Sequence, residues 1–195
     1  TAQSIDPKKI LIVLGHGKSE IKKFFGNSVS SIDFAIQEEQ LGTGHAVGVA
    51  TNELADFDGN LLVLFGDTPF ISARTMTKIE NECKQADLVV LGFHPQDPTG
   101  YGRLVTKNKE LLRIVEHKDA NDEELAITLC NSGVMAGSAV LIKKLLKELD
   151  RNNKNNEIYL TDCIDLARTD GLSSTYLTCD PTEALGINSP QQLAY

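Results

Sequence analysis

Gln37–Ala46, QEEQLGTGHA, lies between a short apolar run, Ile32–Ile36, and an Ala- and Val-rich segment, His45–Leu54. Strand, glycine turn and helix is the natural reading, and the fold follows from it. Gln37 and Gln40 each carry amide donors and an acceptor, so together they can read a flat hydrogen-bonding edge. Gly42 and Gly44 permit unusual backbone angles and close approach of a ligand. A helix opening near Gly44 would aim unpaired N–H groups at an anion. The competing reading is a plain connection, and the Gly-Thr-Gly turn taken alone favours it. The spacing is not Gly-x-Gly-x-x-Gly, because Gly48 falls one place late, and no Gly-Lys-Ser/Thr closes it as a Walker A loop.

Working outward, the same alternation recurs. Lys9–Leu14 is a continuous apolar run closed by Gly15, which reads as a strand buried on both faces. Lys18–Phe25 has helical spacing, with Ile21, Phe24 and Phe25 on one side. Strands are expected at Asn60–Phe65 and Asp87–Phe93, and a helix at Ala73–Gln85. Strands alternating with helices imply right-handed βαβ units and a mostly parallel sheet. Beyond residue 95 the pattern changes: Tyr101–Thr106, Leu111–Glu116 and Ile127–Gly137 read as strands without helices between them. Val140–Leu149 and Leu160–Arg168 are then helical, and Ser174–Thr178 is a last strand. The first half is a nucleotide-type α/β platform and the second an antiparallel addition for another ligand. Arg151–Asn156 is a polar loop, either a lid or an ordinary solvated connection.

The chain has 195 residues, enough for one domain with a substantial core. Nineteen basic and twenty-seven acidic side chains give a net charge of −8. That balance argues against broad nucleic-acid or membrane-surface binding. A phosphate ligand would therefore need a local cation, either a metal ion or a few placed Lys and Arg residues. Four scattered cysteines fit a reducing cytoplasm rather than a disulfide framework, and Cys130 and Cys163 read as core residues. No apolar run is long enough to span a bilayer. Thr1 and the abbreviated helix start at Ser189-Pro190 suggest a piece of a longer protein.

In open parallel sheets, ligands bind beyond the carboxyl ends of strands. Gly66-Asp67-Thr68-Pro69 lies there, and Asp67 suits a hard cation such as Mg²⁺ completed by substrate phosphates. Asp67 as a cap for the helix near Ser72 is an equal alternative. Glu116 and Asn131 are polar where the pattern expects burial. A polyhydroxylated ligand or internal partners would satisfy them. His45 and His117 have no evident orienting partner, so no chemistry is assigned to them. The histidines offer no zinc site.

The ordered series QEEQLGTGHA (37–46), LVLFGDTP (62–69), YGRLV (101–105), IVEHKD (114–119), NSG (131–133), EIYLTD (157–162) and GIN (186–188) resembles the N-terminal uridylyltransferase (pyrophosphorylase) domains of bacterial bifunctional GlmU enzymes, over nearly the whole chain. The resemblance implies a Rossmann-like nucleotide-diphospho-sugar transferase fold, spanning 1–195 as a single domain. It implies transfer of UMP from UTP to N-acetylglucosamine 1-phosphate, giving UDP-N-acetylglucosamine and pyrophosphate. Gln37, Gln40, Gly42, Thr43, Phe65, Gly66 and Asp67 would contact the nucleotide. Gly102, Glu116, Asn131, Tyr159 and Thr161 would line the amino-sugar pocket, and Asp67 and Asn188 would hold Mg²⁺.

The departures from that pattern are specific. The family's opening LAAG-x-G-T-R-M loop, which holds the triphosphate, is absent, as is the β-helical acetyltransferase half. Phe65 replaces a tyrosine, and Ser189-Pro190-Gln191 stands where an arginine is often found. The missing loop leaves a second expectation: a nucleotide-sugar-binding module, or a degenerate homologue without turnover. A related pyrophosphorylase of other specificity is a third.

Overall fold

The computed structural model describes residues 2–25, 32–151 and 153–187. At its centre is β4, Leu88–Phe93, every residue of which is buried. Leu88 and Val90 pack with Ile142 and Leu145 of α5 (Ala139–Leu146) and with Ile164 and Ala167 of α6 (Cys163–Thr169). Val89 and Leu91 point the other way, onto Met76 and Ile79 of α3 (Ala73–Glu82). An unbroken apolar strand is stable only when covered on both faces. The result is a helix–sheet–helix sandwich.

The main sheet also contains β3 (Asn60–Val63), β5 (Arg103–Lys107), β6 (Glu110–Val115), β7 (Cys130–Ser138) and β8 (Ser174–Thr178), in the order β3-β7-β4-β8-β6-β5. This is the expected mixed α/β architecture. β3, β4 and β8 run in one direction, but β7 inserts antiparallel between β3 and β4. Among the described residues parallel pairing is consequently confined to β4–β8 and to a separate pair, β1 (Ile10–Leu14) with β2 (Ile32–Ile36). That is less than the sequence suggested. The β5–β6 hairpin supplies the antiparallel second half.

β1 also departs from expectation. Its ladder with β2 is in register from Ile10↔Ile32 to Leu14↔Ile36, yet only Leu14 of β1 is buried. Among the described residues it has one pairing partner, β2, and α2 (Thr43–Asn52) as its main packing contact, which leaves it only partly covered. α1 (Lys18–Phe25) has the predicted bounds; Phe25 packs on Phe34 with ring centres 5.9 Å apart, while Phe24 is 86% exposed. The predicted Leu160–Arg168 helix is a 3₁₀ turn, Leu160–Asp162, running into α6. A short α4 (Asp122–Leu125), not foreseen, is held by a capping box between Asn121 and Glu124.

One interlock joins the two halves. Ile158 donates its N–H to the Leu41 carbonyl (2.7 Å) and accepts from Gly44 N–H (2.8 Å). The Gly44 amide, read from sequence as open to an anion, is therefore occupied. Gly42 has φ 109°, and a Cβ there would lie 2.5 Å from the Ile158 carbonyl oxygen. Close approach to Ile158 accounts for this glycine without a ligand. Gly42→Ala should lower unfolding free energy by about 3 kcal/mol through backbone strain and overpacking. Gly48→Ala, in the same helix with nothing within 4 Å of the new carbon, should raise it by roughly 0.5–1 kcal/mol. Urea unfolding of both variants checks the pair.

Candidate active site

Five connections converge on one cleft of about 560 Å³. The turn after β3 brings Phe65, Asp67 and Thr68, and the loop after β4 brings Thr99–Gly102. The end of β6 brings Glu116, and β7 brings Asn131 and Gly133. The Ile158 interlock brings Thr43, Tyr159 and Thr161. All five residues expected around the amino sugar, namely Gly102, Glu116, Asn131, Tyr159 and Thr161, line this space.

Asn131 reaches the cleft because β7 bulges. Val90 pairs with Met135, but Gly92 pairs with Asn131, so β7 carries extra residues between the two. Ser132 Oγ donates to the Leu91 carbonyl at 2.7 Å, anchoring the bulge from inside. Asn131 Oδ1 accepts from Gly133 N–H at 3.0 Å, so its Nδ2 is turned away from that bond. Gly133 has φ 86°, and a Cβ on it would meet the Phe65 ring at 2.7 Å. The phenyl ring lies flush on backbone there.

Glu116 is half-buried, and burial pushes its carboxyl above the ordinary range, helped by Asp119 and Glu157. Thr161 Oγ1 opposes this by donating to Oε1 at 3.0 Å. A Cβ on Gly102 would sit 3.4 Å from Oε2, so the glycine leaves that oxygen uncovered. Each polar residue thus has one internal partner and spare capacity beside the cleft, combining the two alternatives posed by the sequence. Arg103, 2% exposed, donates through Nη1 to the Tyr101 carbonyl, while its Nε has no partner among the described residues. Asn131 N–H donates to the Gly102 carbonyl at 2.8 Å, fixing β5 to the bulge.

Asp67 is exposed and lines the cleft. It is not a helix cap. Ser72 caps α3 itself, its side chain accepting from Thr75 N–H, and Glu183 accepts from Ser72 N–H at 2.8 Å. Burial raises the Tyr101 phenol, with smaller contributions from Cys130 and the nearby Asp67 charge. Asn188 lies outside the described residues, but Ile187 N–H donates to the Asp67 carbonyl at 2.7 Å. Among the described residues no three His, Cys, Asp or Glu side chains group around a metal position. A single exposed carboxylate on a cleft large enough for phosphates fits Mg²⁺, which keeps several non-protein ligands, better than a closed protein cage.

Gln37 and Gln40 stand apart from this cleft. They line a second depression of about 490 Å³ with Gly15–Glu20 and Glu38. Gln40 Nε2 donates to the Gln37 carbonyl at 3.0 Å. Gly42 and Gly66 line neither space, and Gly66 is exposed. Sequence reading passed over His117, Lys118, Ser132, Gly133, Asn155 and Glu157 as cleft residues. The asparagine-rich run at 151–156 was one signal, since Asn side chains favour turns; Asn153 and Glu157 exchange two hydrogen bonds (3.1 Å and 2.6 Å) that fold the polar loop back on itself. His45, assigned no partner from sequence, has one in Gln37.

A helix-covered sheet with a polar cleft beyond its strand ends is the setting in which open α/β folds place their ligands. Residues 4–177 match the nucleotidyl transferase family, and the chain belongs to it. Among curated relatives, the bifunctional protein GlmU of Ruegeria sp. (strain TM1040) is 45% identical over 191 residues, 98% of this chain and 42% of that protein. The bifunctional protein GlmU of Roseobacter denitrificans is 47% identical over the same shares. The chain thus spans 42% of the length of these relatives. Among solved structures, the nucleoside-diphosphate-sugar pyrophosphorylase of Vibrio cholerae superposes with a TM-score of 0.72 at 12% identity, covering 99% of this chain and 81% of that one. That likeness is one of fold.

Asp162 adjoins Thr161, which lines the cleft. Burial, then Glu116, Asp150, Asp165 and Asp119, push its carboxyl from 3.8 up to about 6. The folded protein therefore holds this proton more tightly than the unfolded chain does. Between pH 3.8 and about 6 the native state binds the extra proton, so this group's contribution to stability falls as pH rises through that window and stays low above it. Asp162→Asn should raise Tm at pH 7.5, with the gain shrinking towards zero at pH 4. Thermal unfolding across pH checks it.

Proposed function

We propose that this chain is a single sugar-phosphate nucleotidyltransferase domain that transfers UMP from UTP to N-acetylglucosamine 1-phosphate. The observation that carries the reading is the gathering of Asp67 with Gly102, Glu116, Asn131, Tyr159 and Thr161 on one cleft. Identity to GlmU proteins along nearly the whole chain supports the same substrates.

In this reading an oxygen of the sugar 1-phosphate attacks the α-phosphorus of UTP in line. The new P–O bond forms as the bond to the α,β-bridging oxygen breaks, and pyrophosphate leaves with that electron pair. The attacking phosphate is anionic at neutral pH, so no general base is required. The chain's task is positioning. Glu116 and Asn131 bind and orient the sugar's hydroxyl and amide groups, and Thr161 steadies the Glu116 carboxylate. Lys118 is a cation on the cleft wall for a phosphate. Mg²⁺ held by Asp67, with Asn188 as second ligand, would supply charge neutralisation between the two phosphates. The bond from Ile187 N–H to the Asp67 carbonyl supports that pairing. Four free cysteines agree with a cytoplasmic setting, and among the described residues no helix is long and apolar enough to cross a membrane.

Asp67→Ala is expected to lower pyrophosphate release from UTP and N-acetylglucosamine 1-phosphate by about 100-fold or more. Calorimetric titration with UDP-N-acetylglucosamine accompanies the assay. Binding by the parent chain without release would instead assign it as a nucleotide-sugar-binding module, and neither binding nor release would refute both readings.

A further inference from the structure

We propose that His45 is a positioning residue that sets nucleobase preference by turning Gln37 into a pure hydrogen-bond acceptor, an inference that rests on the nucleotide-binding reading above. Gln37 follows β2, has its backbone N–H bonded to the Leu14 carbonyl at 2.9 Å, and is 8% exposed. Its Nε2 donates to the Gly42 carbonyl at 3.2 Å and lies 3.0 Å from His45 Nδ1.

The chemistry at these two contacts is unambiguous. A backbone carbonyl can only accept, so the amide nitrogen must face Gly42 and the amide oxygen must face away. His45 Nδ1, opposite the same NH₂ group, is then the acceptor, with the ring proton on Nε2. Both amide hydrogens are occupied. Oε1 is the only polar atom of the side chain left without a hydrogen bond among the described residues. Gln40 differs, because it uses one hydrogen on the Gln37 carbonyl and keeps both a donor and an acceptor.

An ordinary glutamine tolerates either edge of a pyrimidine, since it can flip. A glutamine locked as acceptor does not. Uracil presents an N–H at N3, which Oε1 can accept; cytosine presents a lone pair there, and acceptor would face acceptor. A site built around one polarity rejects the mismatched analogue because a desolvated polar group is left unpaired. His45 reaches Gln37 from the first turn of α2, whose start is fixed by the Ile158 interlock. The base-reading amide is thereby tied to the same turn that forms the cleft wall.

Isothermal titration with UTP, CTP and N-acetylglucosamine 1-phosphate separates this role from mere packing and needs no turnover. His45→Leu should shrink the UTP-over-CTP affinity ratio about tenfold while leaving sugar-phosphate affinity unchanged. His45→Asn, whose Oδ1 replaces Nδ1 as acceptor, should restore most of the ratio. An unaltered ratio in the leucine variant, or no recovery in the asparagine variant, would overturn the proposal. Should the leucine variant not fold, His45→Phe, which keeps a ring but offers no acceptor to Gln37, serves instead: a shrunken UTP-over-CTP ratio supports the role and a parental ratio refutes it. A parent that discriminates but releases no pyrophosphate sinks the transfer reaction and leaves this inference standing. A parent that binds neither nucleotide sinks both.

Discussion

The docking of a glycine turn onto the backbone of Ile158 is the constraint on which the arrangement depends. Leu41 and Gly44 each exchange a main-chain hydrogen bond with Ile158, and Gly42 has no room for a side chain. Thr43 Oγ1 adds a bond from Leu160 N–H at 3.0 Å. Residues more than a hundred positions apart thereby form one wall. Without it, Thr43 would not face the same space as Tyr159 and Thr161, and the start of α2 would not hold His45 over Gln37. The contact is made by backbone and van der Waals exclusion, so it is rigid where side-chain contacts would adjust.

The bulge in β7 is the second fixed element. A regular strand would send Asn131 and Gly133 to positions dictated by the pleat. Two extra residues, anchored by Ser132 on the Leu91 carbonyl, re-aim Asn131 into the cleft and seat Phe65 on Gly133. The Glu116 end of the cleft is then acidic and partly desolvated, with Glu116 and Asp162 both raised by burial. Carboxylates there suit hydroxyl donors and repel phosphate. The phosphates are accordingly expected towards Asp67, where a divalent cation would reverse the local sign of the field.

Much of this was legible in the sequence. The apolar run at Asp87–Phe93 and the periodic spacing at Ala73–Gln85 report burial and helicity directly, because local pattern and tertiary position agree; at Lys18–Phe25 the spacing reports the helix but not burial, since no residue of α1 is buried. Polar residues breaking an apolar strand, Asn131 and Glu116, marked the cleft. The direction of β7 was not readable, since an apolar run carries no sign for parallel or antiparallel pairing. Nor was the partial exposure of β1, which depends on how many strands flank it. Gly42 and Gly44 were read as making space for a ligand, when the nearest atoms belong to Ile158. Long-range backbone contacts of that kind leave no local mark. The His45–Gln37 bond escaped for the same reason: the chemistry of each residue was visible, but not their separation in space.

The central claim is that Asp67 and a bound nucleotide sugar together hold a divalent ion in this cleft. Electron paramagnetic resonance of Mn²⁺ titrated into the protein with and without UDP-N-acetylglucosamine tests it most directly. The account predicts that the hexaaquo signal falls to a one-to-one end point when the nucleotide sugar is present, and that Asp67→Asn abolishes this loss. Undiminished ion uptake by the asparagine variant would contradict it.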